Sequence, residues 1–391
     1  MSTLLVSQPN YADHVTPQGH PERADRIAAV EEALSKQRFD RLLRRDAVSG
    51  DITLAELVHD GQYLARLRKA RPAEGIGQLD PDTFISAKSL DVAATGLGGA
   101  LSALDAVLLG EVDNAFCAIR PPGHHAEIAT PMGFCLINTV AIVAREAQRK
   151  YGAERIAIID FDVHHGNGTQ DIFQADPSVF YASSHQMPLY PGTGSPSETG
   201  VGNIVNVALT ENSDGAAMRD AYLTRILPAL HDFSPDLILL SAGFDAHARD
   251  PLAQLNWSSA DYGWLTGKLM DAADRACGNR IVSLLEGGYD LKGLAGEPEL
   301  TRLAMTPLPG DAGGPVLDAG GGVVGLLLPR AADDKRLPED VSFAADAGAI
   351  RAVLTAAGIE IGEDLAAGGP LPPDDLSRQA LAMTVLVGCW E

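Results

Sequence analysis

Between residues 110 and 290, short apolar runs alternate with amphipathic ones. Residues 115–119, 155–159, 236–241 and Ile281–Leu285 are apolar at nearly every position. A strand covered on both faces has that pattern, because successive side chains point to opposite sides. Between these runs, residues 90–109, 138–151, 216–232 and 258–277 carry apolar side chains at helical spacing. Ser258-Ser-Ala-Asp261 supplies the last of these helices with a capping serine and an acidic first turn. Strand and helix in alternation predict an α/β fold with a doubly wound parallel sheet.

The residues that follow each strand carry the chemistry. Run 115–119 leads into Arg120-Pro-Pro-Gly-His124-His125, and run 155–159 into Asp160-Phe-Asp162-Val-His164-His165-Gly-Asn167. Run 236–241 leads into Ala-Gly-Phe-Asp245, and Ile281–Leu285 into Glu286-Gly-Gly-Tyr289. Ligands of open α/β sheets bind at the carboxyl ends of the strands. Four predicted strands therefore deliver polar, glycine-flanked groups to one edge.

Composition narrows the partners. The chain has 391 residues, 46% of them hydrophobic, enough for a large core. Its 30 Lys and Arg stand against 52 Asp and Glu, a formal charge of −22. That balance excludes a generic binder of nucleic acid or of an anionic membrane, and it favours cationic substrates at long range. No apolar run approaches the length of a bilayer span. The four cysteines form no Cys-x-x-Cys, and the N-terminus shows no signal peptide. The expectation is a cytoplasmic protein in a reducing compartment, with a homo-oligomer allowed.

All ten histidines precede residue 248, and the chain from Gly296 onward has 15 acidic and 6 basic residues among many Gly, Ala and Pro. This places a boundary near 295, with one domain over 1–295 and a C-terminal appendage over 296–391.

Asp160, Asp162 and His164 alternate, so an extended chain would point all three to one side. Asp162, His164 and Asp245 make an O/N/O ligand set. Three protein ligands leave positions open for water and substrate, as in a catalytic rather than a structural zinc site. Iron(II) and cobalt(II) suit the same donors. A calcium loop is excluded, because His165 stands where such a loop needs glycine and Asp171 where it needs glutamate. His124 and His125 offer imidazoles of suitable basicity for proton transfer, and Asp160 and Asn167 can orient them. Tyr289 can donate a hydrogen bond to a developing oxyanion.

Residues 1–295 resemble the zinc-dependent histone deacetylase family, which includes acetylpolyamine amidohydrolases and bacterial deacetylase-like amidohydrolases. The resemblance is carried by His20-Pro-Glu-Arg23, Arg120-Pro-Pro-Gly-His-His125, Gly133-Phe-Cys-Leu-Ile-Asn138 and Asp160-Phe-Asp-Val-His-His-Gly-Asn-Gly-Thr-Gln170. Tyr190-Pro-Gly-Thr-Gly194, Ser241-Ala-Gly-Phe-Asp245 and Glu286-Gly-Gly-Tyr289 complete it. It implies an arginase/deacetylase-type α/β fold and zinc-dependent hydrolysis of N-acyl amines such as acetyl-lysine. An acetylpolyamine is the alternative substrate, and a non-catalytic acyl-lysine binder the alternative of another class. The resemblance assigns zinc to Asp162, His164 and Asp245, acid/base roles to His124 and His125 backed by Asp160 and Asn167, and carbonyl polarisation to Tyr289. Asn167, where some members carry Asp, resembles the class II branch. Phe134 and Tyr190 would line the acyl tunnel. A potassium ion (K+) would use Asp160, Ser183 and nearby carbonyls. An acid that grips the substrate backbone falls near Asp80–Asp82. Leu252 stands where polyamine-preferring relatives place an acidic gatekeeper, which tilts the expectation toward acyl-lysine.

The family's usual closing helix begins at Leu291-Lys-Gly-Leu-Ala295, after which a different kind of sequence takes over. Leu308-Pro-Gly-Asp-Ala-Gly-Gly-Pro-Val316 resembles the nucleophile region of trypsin-like proteases, with Ala312 at the serine position. Without histidine or that serine, the appendage is expected to be a catalytically inactive, mainly β segment.

Overall fold

A computed structural model describes residues 1–296 and, beyond them, 300–303, 315–317, 323–327 and 342–346. Met1–Gly296 forms one compact unit and the chain from Glu297 a second.

The first unit is built on ten strands: β1 (Thr3–Ser7), β2 (Leu43–Asp46), β3 (Ile76–Gln78), β4 (Phe84–Ser86), β5 (Asn114–Ala118), β6 (Ile156–Asp160), β7 (Val179–Gln186), β8 (Ile204–Leu209), β9 (Leu237–Ala242) and β10 (Ile281–Leu285). Strands β3 and β4 make a small antiparallel pair, and the other eight form one sheet in the order β2-β1-β5-β10-β9-β6-β7-β8. Every neighbouring pair in that sheet is parallel. The predicted α/β architecture is therefore present. The four strands expected from apolar runs are the four adjacent central ones, β5-β10-β9-β6. The sequence pattern did not single out β1, β2, β7 or β8. Strand β2 is exposed along its length, and β7 carries Ser183, Ser184, His185 and Gln186 within a fully buried strand.

The helices are α1 (Asp25–Leu34), α2 (Tyr63–Ala70), α3 (Ser89–Leu108), α4 (Thr139–Tyr151), α5 (Asn167–Phe173), α6 (Gly215–Ala221), α7 (Leu227–Phe233), α8 (Ser259–Cys277) and α9 (Leu291–Leu294). A π-helical turn over Tyr222–Ile226 joins α6 to α7, so the helix predicted over 216–232 carries a bulge. Asn138 caps α4 by accepting the Ala141 N–H, and Ser258 with Asp261 forms a capping box on α8. Gly152 ends α4 at φ 68°, a left-handed turn that glycine adopts without a Cβ clash.

Alternate residues of one strand feed different layers. On β6, Ile156 and Ile158 pack with α3 and α4, while Ala157 and Ile159 pack with the α7–α8 side. Leu237 and Leu239 of β9 join the first layer, and Ile238 and Leu240 the second. Each fully buried Leu or Ile contributes roughly 1.5–3 kcal/mol of transfer free energy. A one-residue slip would exchange the layers, and this fixes the level at which each strand ends.

In the second unit, β11 (Leu300–Leu303), β12 (Pro315–Leu317), β13 (Val323–Leu327) and β14 (Ser342–Asp346) form an antiparallel sheet in the order β11-β14-β13-β12. Ala312 and most of the protease-like stretch lie outside the described residues.

Candidate metal centre and active site

The loops after β5, β6, β9 and β10 meet at one edge of the sheet. Ligand atoms of Asp162, His164 and Asp245 lie within 4.8 Å of one another, and all three residues are buried. Strand β6 stops at Asp160, so the chain bends instead of staying extended through His164. The bend has a local cause: Asp162 Oδ1 accepts the His164 N–H at 2.9 Å, and Asp160 Oδ1 accepts the Asp162 N–H at 3.1 Å. As a result Asp160 leaves the metal-type cluster and faces His124 and Tyr181. The single row expected for Asp160, Asp162 and His164 is thereby corrected.

His164 turns its Nδ1 edge to both carboxylates, 3.1 Å from Asp162 Oδ1 and 3.1 Å from Asp245 Oδ2. Burial and the charge of Asp162 push the Asp245 carboxyl up to about 7. Burial opposes the charged form of His164, yet the two carboxylates raise it to about 10. Two buried carboxylates and an imidazole suit a divalent cation, which would balance the anionic charge. Glycine backbone makes room for the carboxylates to converge: a Cβ at Gly287 would collide with Oδ2 of both Asp245 and Asp162, and one at Gly243 with Asp162 Oδ2. The donor set and this glycine-walled cradle fit a metal.

The histidine pair is held by unlike partners. His124 Nδ1 lies 3.0 Å from Asp160 Oδ2, and His125 Nδ1 lies 2.8 Å from Asn167 Oδ1. Asn167 is fixed in that orientation because its amide donates to Glu127 Oε1 at 2.7 Å. His125 therefore donates through Nδ1 and keeps Nε2 free of that bond. Burial disfavours the charged form of both rings. For His124, Asp160 and Asp162 overcome it and raise the pKa well above the usual value. For His125, the neighbouring imidazoles add to burial and lower it well below.

Aromatic rings wall the approach. Tyr190 packs edge-on against His125 and His164 at 5.2 and 6.2 Å between centroids, and Phe134 against Tyr289 at 5.8 Å. His20 joins Phe134 at 4.7 Å. The Asp80–Asp82 turn adjoins them: His20 Nε2 lies 3.1 Å from the Asp82 carbonyl, and Thr83 Oγ1 accepts the Phe134 N–H. Leu252 is half-buried, and its N–H donates to Asp250 Oδ1. Ser183 stands opposite Asp160 in the β6–β7 register, and its hydroxyl is 2.9 Å from His185 Nδ1.

Three supporting groups had no assigned role in the sequence reading. Arg26 is fully buried, donates to the Gly288 carbonyl at 2.7 Å and to the Glu286 carbonyl, and lies 4.8 Å from the Tyr289 ring centroid. Glu22 binds Arg120 through both oxygens and also meets Arg26. Burial opposes the Glu22 charge, but Arg120 holds its pKa down at about 2. Glu286 Oε2 accepts the N–H groups of Gly123 and His124. A sequence signal for Arg26 existed, since it falls in the buried phase of α1 with Ile27, Val30 and Ala33. Glu286 stood in the segment after the last apolar run but without a role, and Asp250 carried no signal.

Comparison with known proteins identifies relatives of the first unit. The histone deacetylase domain family matches residues 20–301. A probable deacetylase of Archaeoglobus fulgidus is 37% identical over 75% of this chain and 83% of its own length. Histone deacetylase 10, chloroplastic, of Oryza sativa subsp. japonica is 38% identical over 71% of this chain and 68% of its own. The crystal structure of the HDA15 HD domain superposes with a TM-score of 0.71 at 33% identity, over 76% of this chain and 86% of that one. The family match ends at residue 301 and gives no support to the protease likeness of the tail.

Proposed function

The chain belongs to the histone deacetylase family, and on that premise we propose that it is a zinc-dependent amidohydrolase of acyl-lysine or a related acyl-amine. The observation that carries the reading is the buried Asp162, His164 and Asp245 cluster, with His124, His125 and Tyr289 delivered to it by neighbouring strands. Zinc held by these three residues would polarise the acyl carbonyl and acidify a water.

The chain's own groups supply the rest. His125, kept neutral by burial and the neighbouring imidazoles and oriented by Asn167, takes the proton of the attacking water at Nε2. His124, tied to the Asp160 carboxylate, carries positive charge beside the developing tetrahedral centre and returns a proton to the leaving amine. The Tyr289 hydroxyl donates to the carbonyl oxygen as charge builds there. Phe134 and Tyr190 exclude water from the acyl chain's linear stem. We further propose that the Asp80–Asp82 turn meets the substrate backbone, that Leu252 lines the rim, and that Asp160 with Ser183 serves a potassium ion. The domain is taken as 1–295, with 296–391 as an appendage outside the chemistry.

The test is turnover of a fluorogenic acetyl-lysine peptide with and without chelator, extended to acetylpolyamines and longer acyl-lysines. Chelator-sensitive release of acetate from the peptide is expected. Binding of acyl-lysine with no turnover under any metal would refute the hydrolase reading, and turnover of acetylpolyamine alone would refute the substrate.

A further inference from the structure

We propose that Asp250 is a positioning residue for this reaction, its carboxylate setting Tyr289 and the Leu252 rim in one frame. The proposal rests on the amidohydrolase reading above. Asp250 is buried at 7% exposure. Its Oδ1 accepts the Leu252 N–H at 3.0 Å, and its Oδ2 accepts the N–H groups of Tyr289 at 2.7 Å and Asp290 at 3.3 Å. Leu252 follows β9 and Tyr289 follows β10, so one side chain spans two loops.

The donor count requires a carboxylate there. An ionised carboxylate offers acceptors at both oxygens and no N–H, whereas an amide accepts at one end and donates at the other. Asparagine at 250 would satisfy one loop and turn its NH2 on the backbone N–H of the other. That leaves a buried donor unpaired and pushes one loop away. A buried carboxylate is itself unfavourable unless hydrogen-bonded, and here three backbone donors meet it. Other contacts of Tyr289 hold its ring: Arg26 lies over the face and Phe134 at the edge. Asp250 holds its backbone. A reacting group displaced by about 1 Å loses on the order of 10²-fold in rate.

The test compares wild type, Asp250→Asn, Tyr289→Phe and the double variant for kcat and KM on an acyl-lysine peptide. Bound metal, Tm and the crystal structure of Asp250→Asn are determined alongside. Asp250→Asn is expected to keep its metal and to lose about 10- to 100-fold in kcat. Once Tyr289 is Phe, the same change should cost less than about threefold, because both act through one hydroxyl. Additive losses, or an unchanged kcat, overturn the proposal. Asp250→Glu keeps both acceptors on a longer stem, should recover part of the rate, and carries the same cycle if Asp250→Asn fails to fold. If wild type hydrolyses no acyl-amine, the amidohydrolase reading fails. The crystal structure then decides separately: an undisplaced Tyr289 overturns the positioning role.

Discussion

Replacing His59 by Gln should remove a defined part of the protein's acid sensitivity. His59 Nδ1 lies 2.8 Å from the Glu127 carbonyl, and its Nε2 accepts the Asn138 N–H at 3.0 Å. One nitrogen must donate and the other accept, so the neutral tautomer is the only form that satisfies both. Protonation would aim an N–H at the Asn138 N–H, at the cap of α4. Burial accordingly lowers the His59 pKa from 6.5 to about 4. Since the folded form binds the proton less readily than the unfolded chain, this group's stability is complete above pH 6.5 and is lost as pH falls toward 4. With those two values, the loss between pH 8 and pH 5 is about 2 kcal/mol. His14 and His185, also lowered to about 4 by burial, steepen the same decline. The contribution of His59 therefore appears only by difference. Gln can accept from Asn138 and does not titrate. Urea unfolding at pH 8, 7, 6 and 5 should show His59→Gln gaining on wild type by about 2 kcal/mol at the acidic end. Parallel stability curves for the two proteins would refute the assignment. The same histidine anchors Glu127, whose carboxylate orients Asn167 and hence His125, so acid should loosen the site before the whole domain unfolds.

Asp162→Asn or Asp245→Asn should abolish bound metal and activity together, because each removes one of three ligands; elemental analysis showing full metal with normal turnover would overturn the ligand set. Tyr289→Phe should lower kcat on the order of 10²–10³-fold with metal content kept, as loss of one oxyanion donor does, and an unchanged kcat would remove its role. Gly287→Ala places a methyl against Asp162 and Asp245 and should weaken metal retention on dialysis against chelator, although no ligand is altered; wild-type retention would show that the cradle has slack.

The one-dimensional pattern was sufficient for the sheet's centre and for which polar groups gather at its edge. Runs of five or six residues that are apolar at nearly every position and bounded by glycine-flanked polar groups fit strands covered on both sides, and β5, β6, β9 and β10 are those strands. The polar groups after them had to reach one edge, because parallel strands end on the same side. The outer strands β2 and β7 were not legible. Exposed Leu43–Asp46 has no apolar pattern, and Val179–Gln186 buries polar side chains whose partners come from distant segments, such as Tyr222 for Ser184 and Gly194 for His185. Nor could spacing place Asp160 away from Asp162 and His164, because that separation depends on a bend held by hydrogen bonds the alternation rule ignores. Arg26, Glu286 and Asp250 acquire their meaning only when β9, β10 and α1 pack together. Each acts on backbone groups of another segment, and a chain read in order shows which side chains exist but not which distant N–H or carbonyl will need them.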